Sequence, residues 1–416
     1  MRTFLDDIAE KLLERGGNDF SKTCIVLPNR RAGVFLRDAI SRKAKGAIWA
    51  PTVLSVEDFV FSLSDMVKAD QTSLLFAFYE VYRKSVSDPQ TIELFANWAP
   101  TFLSDVNELD LNLIDAEDIF AQLYSIERIK KWNPVTGGAT AFQDKHLKFV
   151  KKLYPYYLEL RSGLEKKQLA YQGMVFRHVA ENIESIIAAS DWQKVWFAGF
   201  NALTVTEEKM MAAWLASGKA KIFWDMDTYY ADDAIHEAGH YIRRFTDGKS
   251  ELKIDKQYVW KASRLASESK EIELIAAQRS MVQAQIAGTI LKKRIDAGLS
   301  NMTNVAVVLN DEQLLMPLLS SLPEEMSGVN ITMGYGLRYS QSATFVEHLF
   351  ALYVRFSEHS ERFYHQDVTA ILSDPFFRKV VALKTQDALP LRTFYSVDEL
   401  QLSDIHRMVF GKEWNT

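Results

Sequence analysis

Short apolar runs alternate with helical spacings near the start of the chain. Apolar residues three to four positions apart predict an amphipathic first helix, whose apolar face comprises Phe4, Leu5, Ile8, Leu12 and Leu13. The continuous run Cys24–Leu27 predicts a buried strand, and a helical pattern carrying Val34, Phe35 and Ile40 follows it. The chain therefore opens with helix, strand, turn and helix.

Later segments repeat these two patterns. Pro51–Leu54 predicts a short extended segment leading into a helix capped by Ser55. Only helical patterns occur in Thr72–Ala189, which predicts a helical domain. Val195–Ala198 and Lys221–Trp224 predict two further strands. Because strands enclosing short helices are typical of parallel sheets, the fold class is predicted to be α/β.

A second α/β unit is predicted after residue 260. A long helix at Ser269–Ala297 precedes two apolar runs, Asn304–Leu309 and Val329–Thr332, which predict strands. A helical pattern through Leu314 and Leu318 separates them. The remaining residues are predicted to be helical.

Composition sets limits on this picture. The 416 residues suffice for two to three domains, and 48% hydrophobic with 25% charged residues is ordinary for a globular protein. A net charge of -5 excludes a protein that is basic throughout, so a nucleic-acid site would be local. The single cysteine, Cys24, excludes an intrachain disulfide. No run of eighteen apolar residues predicts a membrane span, and cytoplasmic localisation is the expectation.

Positive charge is concentrated near the first predicted strand. The segment 22–45 carries one acid, Asp38, and seven bases, a local charge of +6; the bases are Lys22, Arg30, Arg31, Arg37, Arg42, Lys43 and Lys45. Asn29, Arg30 and Arg31 lie where the strand ends and the helix begins, a geometry that suits a phosphate. A solvated helix face is the alternative interpretation.

Lysines and aromatics also occur together in the predicted helical domain. The lysines are Lys130, Lys131, Lys145, Lys148, Lys151 and Lys152, and the aromatics are Trp132, Phe142 and Phe149. Charge combined with stacking suits single-stranded nucleic acid, whereas aromatics at helical spacing also occur in ordinary cores.

Three short motifs suggest other chemistry. His236–His240 matches H-E-x-x-H, in which two imidazoles on one helical face hold zinc, although a solvated helix face is the favoured interpretation. Gly16–Thr23 resembles a phosphate loop, but it precedes a strand, whereas a phosphate loop precedes a helix. Asp225 and Asp227 with Glu251–Lys253 loosely match the carboxylates and lysine of a metal-dependent nuclease.

The apolar strand ends and the turns after them resemble AddB-type proteins, which are helicase-like, nuclease-bearing partners in recombinational repair. The similar segments follow the same order over most of the chain; they are Ile25–Gly33, Pro51–Phe59, Val195–Phe200, Val305–Leu315 and Val329–Gly336. The resemblance implies two RecA-like parallel-sheet lobes, the second incomplete, each interrupted by a large helical insertion. A PD-(D/E)XK nuclease domain follows these lobes in the family.

The resemblance also implies roles for particular residues. Pro28–Arg31 would be the loop that touches single-stranded DNA, and Thr52–Phe59 the next such element. Ala198–Asn201 lies where an active helicase has an Asp-Glu pair, and both carboxylates are missing. Because no glycine-rich lysine loop precedes the first helix either, ATP is not expected as a cofactor. Magnesium and an iron-sulfur cluster are expected only in a nuclease domain beyond Thr416, so the resemblance implies that this chain is part of a longer protein.

These observations predict five segments: 1–85 and 190–260 as the first lobe, 86–189 as its helical insertion, 261–340 as a partial second lobe, and 341–416 as a truncated second insertion. The predicted function is a helicase-like DNA-binding scaffold of a recombinational-repair nuclease that processes DNA ends, without catalysis in this portion. The full-length protein would then be an exonuclease. Alternatives are a zinc hydrolase using His236 and His240, and a non-enzymatic protein-interaction subunit.

The predicted partners are single-stranded or end-containing DNA and an active helicase-nuclease subunit, with no membrane. The predicted DNA-binding residues lie at the ends of the first two strands and in the helical domain; they are Asn29, Arg30, Arg31, Arg37, Thr52, Ser55, Lys130 and Lys131.

Overall fold

The computed structural model describes residues 3–14, 17–125, 141–246, 259–298, 305–326, 328–334, 336–358 and 363–375, together with residues 250, 252, 302 and 377. The chain divides into two compact units, Met1–Lys270 and Glu271–Thr416. Within the described residues, no helix combines the length and apolar character that crossing a lipid bilayer requires.

The first unit is built on a parallel β-sheet. The strands of this unit are β1 (Thr23–Leu27), β2 (Thr52–Ser55), β3 (Val67–Lys68), β4 (Leu169–Ala170), β5 (Lys194–Ala198), β6 (Ala220–Asp227) and β7 (Val259–Ala262). Five of them form one sheet in the order β2-β1-β5-β6-β7, with every neighbouring pair parallel. The short strands β3 and β4, which the sequence does not predict, pair separately. The predicted α/β fold class is confirmed.

Helices flank this sheet and form the segment between β3 and β5. The α-helices of the first unit are α1 (Phe4–Leu13), α2 (Arg30–Lys43), α3 (Val56–Ser62), α4 (Gln71–Ser85), α5 (Ile92–Ala96), α6 (Ala99–Leu111), α7 (Ala116–Tyr124), α8 (Ala141–Glu165), α9 (Gln172–Glu181), α10 (Ile183–Ala189), α11 (Val205–Ala216), α12 (Thr228–Ala231), α13 (His240–Thr246) and α14 (Arg264–Ser267). Helices α4 to α10 fill most of the described part of Thr72–Ala189, for which only helices were predicted, but strand β4 also lies within it.

Alternating residues of the central strands enter two different cores. Ile25 and Trp196 pack with α1 and α2 on one face of the sheet. Val26 and Phe197 pack on the other face, in a larger core that includes Trp214 and the helical segment. Because both faces are covered, the central strands are continuous apolar runs without polar alternation, which is why they are recognisable in the sequence.

The order of the strands fixes where side chains at the sheet edge meet. From β1 the chain crosses to β2 on one side, and after the helical segment it returns to β5 on the other side. The point where the connection reverses lies between β1 and β5. In open parallel sheets, ligands bind outside the carboxyl ends of the strands at this reversal.

The second unit is described as helices and connecting segments. Its α-helices are α15 (Ser280–Asp296), α16 (Leu315–Ser321), α17 (Gln341–Glu358) and α18 (His365–Ser373). The helix predicted from Ser269 is wrong at its start, because residues 269–279 are not helical and Ile272 and Leu274 are exposed. In the described parts of the predicted strands, 305–309 and 329–332, no residue pairs with a neighbouring strand. The second RecA-like lobe therefore stays a prediction.

A buried carboxylate joins three helices of the first unit. Asp110 on α6 is fully buried and accepts hydrogen bonds from the hydroxyls of Tyr157, at 2.6 Å, and Tyr171. The guanidinium groups of Arg177 and Arg161 lie 3.0 and 3.6 Å from the same carboxylate oxygen. The cluster links α6 to α8 and α9.

Alkaline pH is expected to weaken this unit. Burial raises the pKa of Tyr157 to about 12, with its hydrogen bond to Asp110 acting in the same direction, and burial raises the pKa of Tyr156 to about 12. An unfolded tyrosine ionises near a pH of about 10. The stabilisation is therefore complete below pH ~10 and is lost progressively between about 10 and about 12, because the unfolded chain releases its protons first.

Urea unfolding followed by circular dichroism at increasing pH measures this loss. The urea midpoint should fall above a pH of about 10, and Tyr157→Phe should show a shallower fall than the unchanged chain. Identical pH slopes for the two proteins would contradict the role given to Tyr157.

Candidate nucleic-acid interface

The turn from β1 into α2 places three predicted residues at the carboxyl edge of the sheet. Asn29 has an extended backbone and caps α2, since its side chain accepts a hydrogen bond from the Ala32 amide at 2.9 Å. Arg30 and Arg31 are the first two residues of the helix. The remaining first-turn amides of α2 have no carbonyl within the helix to bind, so this helix end favours negative charge.

Arg30 is held by the neighbouring strand-to-helix turn. Its Nε donates to Asp58 Oδ2 at 2.8 Å, and its Nη2 donates to the other carboxylate oxygen. Asp58 also receives the hydroxyl hydrogen bond of Ser55 at 2.6 Å, while Ser55 caps α3. The Arg30 guanidinium and the Ser55 hydroxyl together lower the pKa of Asp58 to about 2. Ser55 and Asp58 thus neutralise and orient Arg30.

Arg31 and Phe35 form the exposed part of this site. They are one turn apart on α2, and the Arg31 guanidinium carbon lies 5.6 Å from the centre of the Phe35 ring. Half of the Phe35 side chain is exposed, and Val34 is 60% exposed. Among the described residues, Arg31 has no acidic partner. Its charge and an aromatic face are therefore available to a ligand at the same point.

The apolar residues of the predicted helix α2 do not all lie on its buried face. The helix buries Leu36 and Ile40 and exposes Val34 and Phe35. The buried positions follow helical spacing, and two large apolar residues lie off that face. An apolar pair outside the buried face is the sequence signal that would have identified Phe35 as an exposed aromatic residue.

Two other predicted site residues lie away from the exposed arginine. Arg37 donates from Nη2 to the Val53 carbonyl at 2.8 Å, so its guanidinium ties α2 to the edge strand β2. Thr52 begins β2 and pairs with Cys24, whereas Ser55 ends the strand beside Leu27. Three residues of strand separate Thr52 from the carboxyl edge by about 10 Å. The structure does not bring these two residues to the site.

The basic patch of the helical segment is only partly described. Lys130 and Lys131 lie outside the described residues. Among the described lysines, Lys152 Nζ donates to the Ser85 carbonyl at 3.0 Å. Phe149 is partly buried and packs edge-on against Trp98 of the helical segment, with ring centres 5.0 Å apart.

The turn after β5 lies beside the β1 turn at the point of reversal. Gly199 has a φ of +75°, and a Cβ there would lie 3.3 Å from the Phe4 ring. Its amide donates to the Phe223 carbonyl at 3.0 Å, which fixes the turn against β6. Phe200 is buried and Asn201 is exposed. This turn offers no carboxylate for a metal.

The H-E-x-x-H segment does not form the helix that a zinc site of this type needs. His236 precedes a 3-10 turn at Glu237–Gly239, and its Nδ1 accepts a hydrogen bond from the Ala238 amide at 3.2 Å. His240 begins α13. The two histidines are thus not one turn apart on an α-helix. Within the described part of the chain, no group of three metal-ligating side chains occurs.

One of the nuclease-like carboxylates, Asp227, is also engaged locally, whereas Asp225 is exposed. Asp227 caps α12 through the Tyr229 amide at 2.9 Å, and its second oxygen accepts from the amides of Arg264, at 3.1 Å, and Leu265. Glu251 and Lys253 lie outside the described residues. Asp227 therefore has a structural role at the end of β6.

Comparisons with known proteins identify no relative: no family model matches the chain, and no curated protein matches it either. The functional argument therefore depends on the carboxyl edge of the sheet. There, four residues predicted from the sequence lie together with Phe35 and Asp58, which were not predicted as site residues; the four are Asn29, Arg30, Arg31 and Ser55.

Proposed function

We propose that this chain is a helicase-like DNA-binding scaffold of a recombinational-repair nuclease that processes DNA ends, and that these residues carry no catalytic step. Its ligand is single-stranded or end-containing DNA. The DNA site is the β1–α2 surface, defined here as Asn29, Arg30, Arg31 and Phe35. The observation that carries the proposal is the Arg31 guanidinium over the half-exposed Phe35 ring at the start of α2.

Each part of this surface matches one part of a single strand. Arg31 and the first-turn amides of α2 suit a phosphate, because both donate hydrogen bonds and carry positive charge. Phe35 offers a face on which an unpaired base stacks, and such stacking tolerates any sequence. Base pairs in a duplex are already stacked on their neighbours, so the surface favours single strands and frayed ends.

The scaffold role rests on the resemblance together with the turn after β5. Ala198–Asn201 contains no acidic residue where an active motor of this family would hold magnesium and activate water. We propose that the motor and nuclease steps belong to other parts of the assembly, including an active helicase-nuclease partner subunit.

Fluorescence anisotropy with a labelled oligothymidine tests the DNA site. Phe35→Ala should weaken binding by about 1–3 kcal/mol, the loss of one base-aromatic stack. Arg31→Ala should weaken binding and lower the slope of log affinity against log salt by about one phosphate contact. The matched control is Arg83→Ala, since Arg83 lies 5.8 Å from the Tyr79 ring on α4, away from this surface.

Asp58→Asn provides a test of opposite sign. Loss of the Asp58 charge releases Arg30 from its ion pair, so DNA should bind more tightly and the slope of log affinity against log salt should grow by about one.

A blunt duplex measured in parallel should bind more weakly than the single strand. If Phe35→Ala and Arg31→Ala bind like the unchanged chain, the assigned surface is wrong. If the unchanged chain fails to bind at low salt, the function is wrong and a protein-interaction role is favoured.

A further inference from the structure

Trp49 is an exposed tryptophan at the amino edge of the sheet, where the parallel strands begin. Its backbone is fixed, because its amide donates to the Asn18 carbonyl at 2.7 Å and its carbonyl accepts from the Phe20 amide at 2.8 Å. Its side chain is nevertheless 73% exposed, whereas the neighbouring Ile48 packs against the same core as α2. Tryptophan side chains are usually well buried and are enriched at binding surfaces. A fixed, exposed indole therefore indicates a binding surface.

One side of α2 leads from the β1–α2 surface toward Trp49 along the edge strand β2. Arg30 contacts the turn that follows β2, and Arg37 donates to the Val53 carbonyl within β2. The two arginines are seven residues apart, which is about two helical turns, so they lie on the same side of α2. The chain then leaves α2 and reaches Trp49 just before β2 begins. The exposed residues on this route are called the β2-edge track, which comprises Val34, Arg37, Lys45 and Trp49.

The β2-edge track carries positive charge that is not neutralised by acidic side chains of the described residues. Arg37 and Lys45 are both exposed, and within the described ranges neither has an acidic partner. The Arg37 guanidinium keeps its full charge, because the group it binds is a neutral carbonyl. By contrast, Lys43 at the end of α2 pairs with Glu10 at 2.6 Å. Part of the positive charge of segment 22–45 is thus left for a ligand along this side of α2.

An acidic neighbour of Trp49 is already engaged. Asp19, which forms an isolated bridge with Trp49, accepts a hydrogen bond from the Ser21 amide at 2.9 Å. Hydrogen bonds from Ser21 lower the pKa of Asp19, and the charge of Lys22 acts in the same direction. Because Lys22 balances this carboxylate, Lys45 leaves the end of the track positive.

We propose that the β2-edge track continues the DNA site, so that a single strand held at Arg31 and Phe35 runs along α2 and stacks a further base on Trp49. This second stacking point rests on the proposed DNA-binding function, which it extends. A positive route between exposed aromatic side chains is how proteins hold single strands without reading their sequence. The 14 residues of α2 span about 21 Å, at about 1.5 Å per residue. One strand of helical DNA advances about 3.4 Å per nucleotide, so the route corresponds to about six nucleotides.

Anisotropy of labelled oligothymidines of increasing length tests the track in the full chain. For the unchanged chain, affinity should rise steeply with length up to about six nucleotides and only slowly beyond. Trp49→Ala should weaken binding of an oligomer of about ten nucleotides by about tenfold, the loss of one base-aromatic stack, and the steep rise should end at a shorter length. Trp49→Phe keeps an aromatic face and should lose less than about threefold. Lys45→Ala should lower the slope of log affinity against log salt by about one.

Matched controls come from α4, in the helical segment. Phe76 is 53% exposed and Lys84 is exposed, and their alanine variants should leave DNA affinity unchanged. If Trp49→Ala binds the longer oligomer like the unchanged chain while Arg31→Ala weakens it, the track is wrong and the proposed function stands. If the unchanged chain binds no oligomer at low salt, both are wrong. If a hexaglutamate peptide binds as tightly as the oligomer and loses affinity in Trp49→Ala, the track belongs to a protein partner and the proposal is overturned.

Discussion

Asp110→Ala is expected to lower the free energy of unfolding of the first unit by about 3–5 kcal/mol, the cost of breaking a buried ion pair from one side. The carboxylate has no exposed surface. Its removal leaves the guanidinium of Arg177, only 13% exposed, without the carboxylate that lies 3.0 Å from its Nε. Arg161, 22% exposed, loses the same counter-charge. The tyrosine hydroxyls of Tyr157 and Tyr171 lose their acceptor as well.

The loss of stability reports on the packing of three helices together, because the cluster joins α6 to both α8 and α9. Urea unfolding of the variant, followed by circular dichroism, gives the change in free energy for the transition of the first unit. The control is Asp105→Ala, which removes an exposed carboxylate from the same helix and should change stability by no more than about 0.5 kcal/mol. Equal stability of the two variants would show that Asp110 does not hold the helices together.

The sheet could be predicted from the sequence because its central strands are buried on both faces. The predicted runs Cys24–Leu27 and Val195–Ala198 fall within β1 and β5, each to within one residue. Such strands need apolar residues at every position, so they contrast clearly with the helices around them. The edge strand β2 is half-buried, so its apolar pattern is weaker. Its end could still be predicted from Ser55, because the side-chain oxygen of a serine suits the cap of a following helix such as α3.

The second unit shows where such patterns fail. A five-residue apolar run becomes a strand only if neighbouring backbone pairs with it, and the run itself does not reveal whether such a neighbour is present. Residues 305–309 form no backbone pairing with another strand in the described part of the chain. Similarly, the segment before α15 contains apolar residues at spacings compatible with a helix, yet the helix begins only at Ser280.

Only some residues of the candidate site could be placed together from the sequence, for a different reason. Asn29, Arg30 and Arg31 could be placed together because a strand end and a helix start are adjacent along the chain. The contact between Arg30 and Asp58 spans 28 residues and depends on β1 and β2 lying side by side, which no local pattern records. Without that contact, the sequence does not distinguish Arg30 from Arg31 as a candidate for phosphate binding, whereas in the structure Arg30 is paired with Asp58 and Arg31 has no acidic partner among the described residues.

Gly173→Ala is expected to destabilise the first unit by about 1–3 kcal/mol or more, because it overpacks the contact between α9 and α6. A Cβ at this position would lie 2.3 Å from the backbone carbonyl oxygen of Asn107, far inside van der Waals contact. Backbone cannot rotate away as a side chain does, so α9 must shift. The shift also strains the hydrogen bond from the Gly173 amide to Asn107 Oδ1, now 2.7 Å long.

Gly163→Ala supplies a control of opposite sign. Gly163 lies within α8, and a Cβ there meets no atom within 4 Å, so alanine should stabilise the helix by about 0.5–1 kcal/mol. Urea midpoints of the two variants should therefore move in opposite directions from that of the unchanged chain. A Gly173→Ala protein as stable as the Gly163→Ala protein would show that the close approach of α9 to α6 is not required.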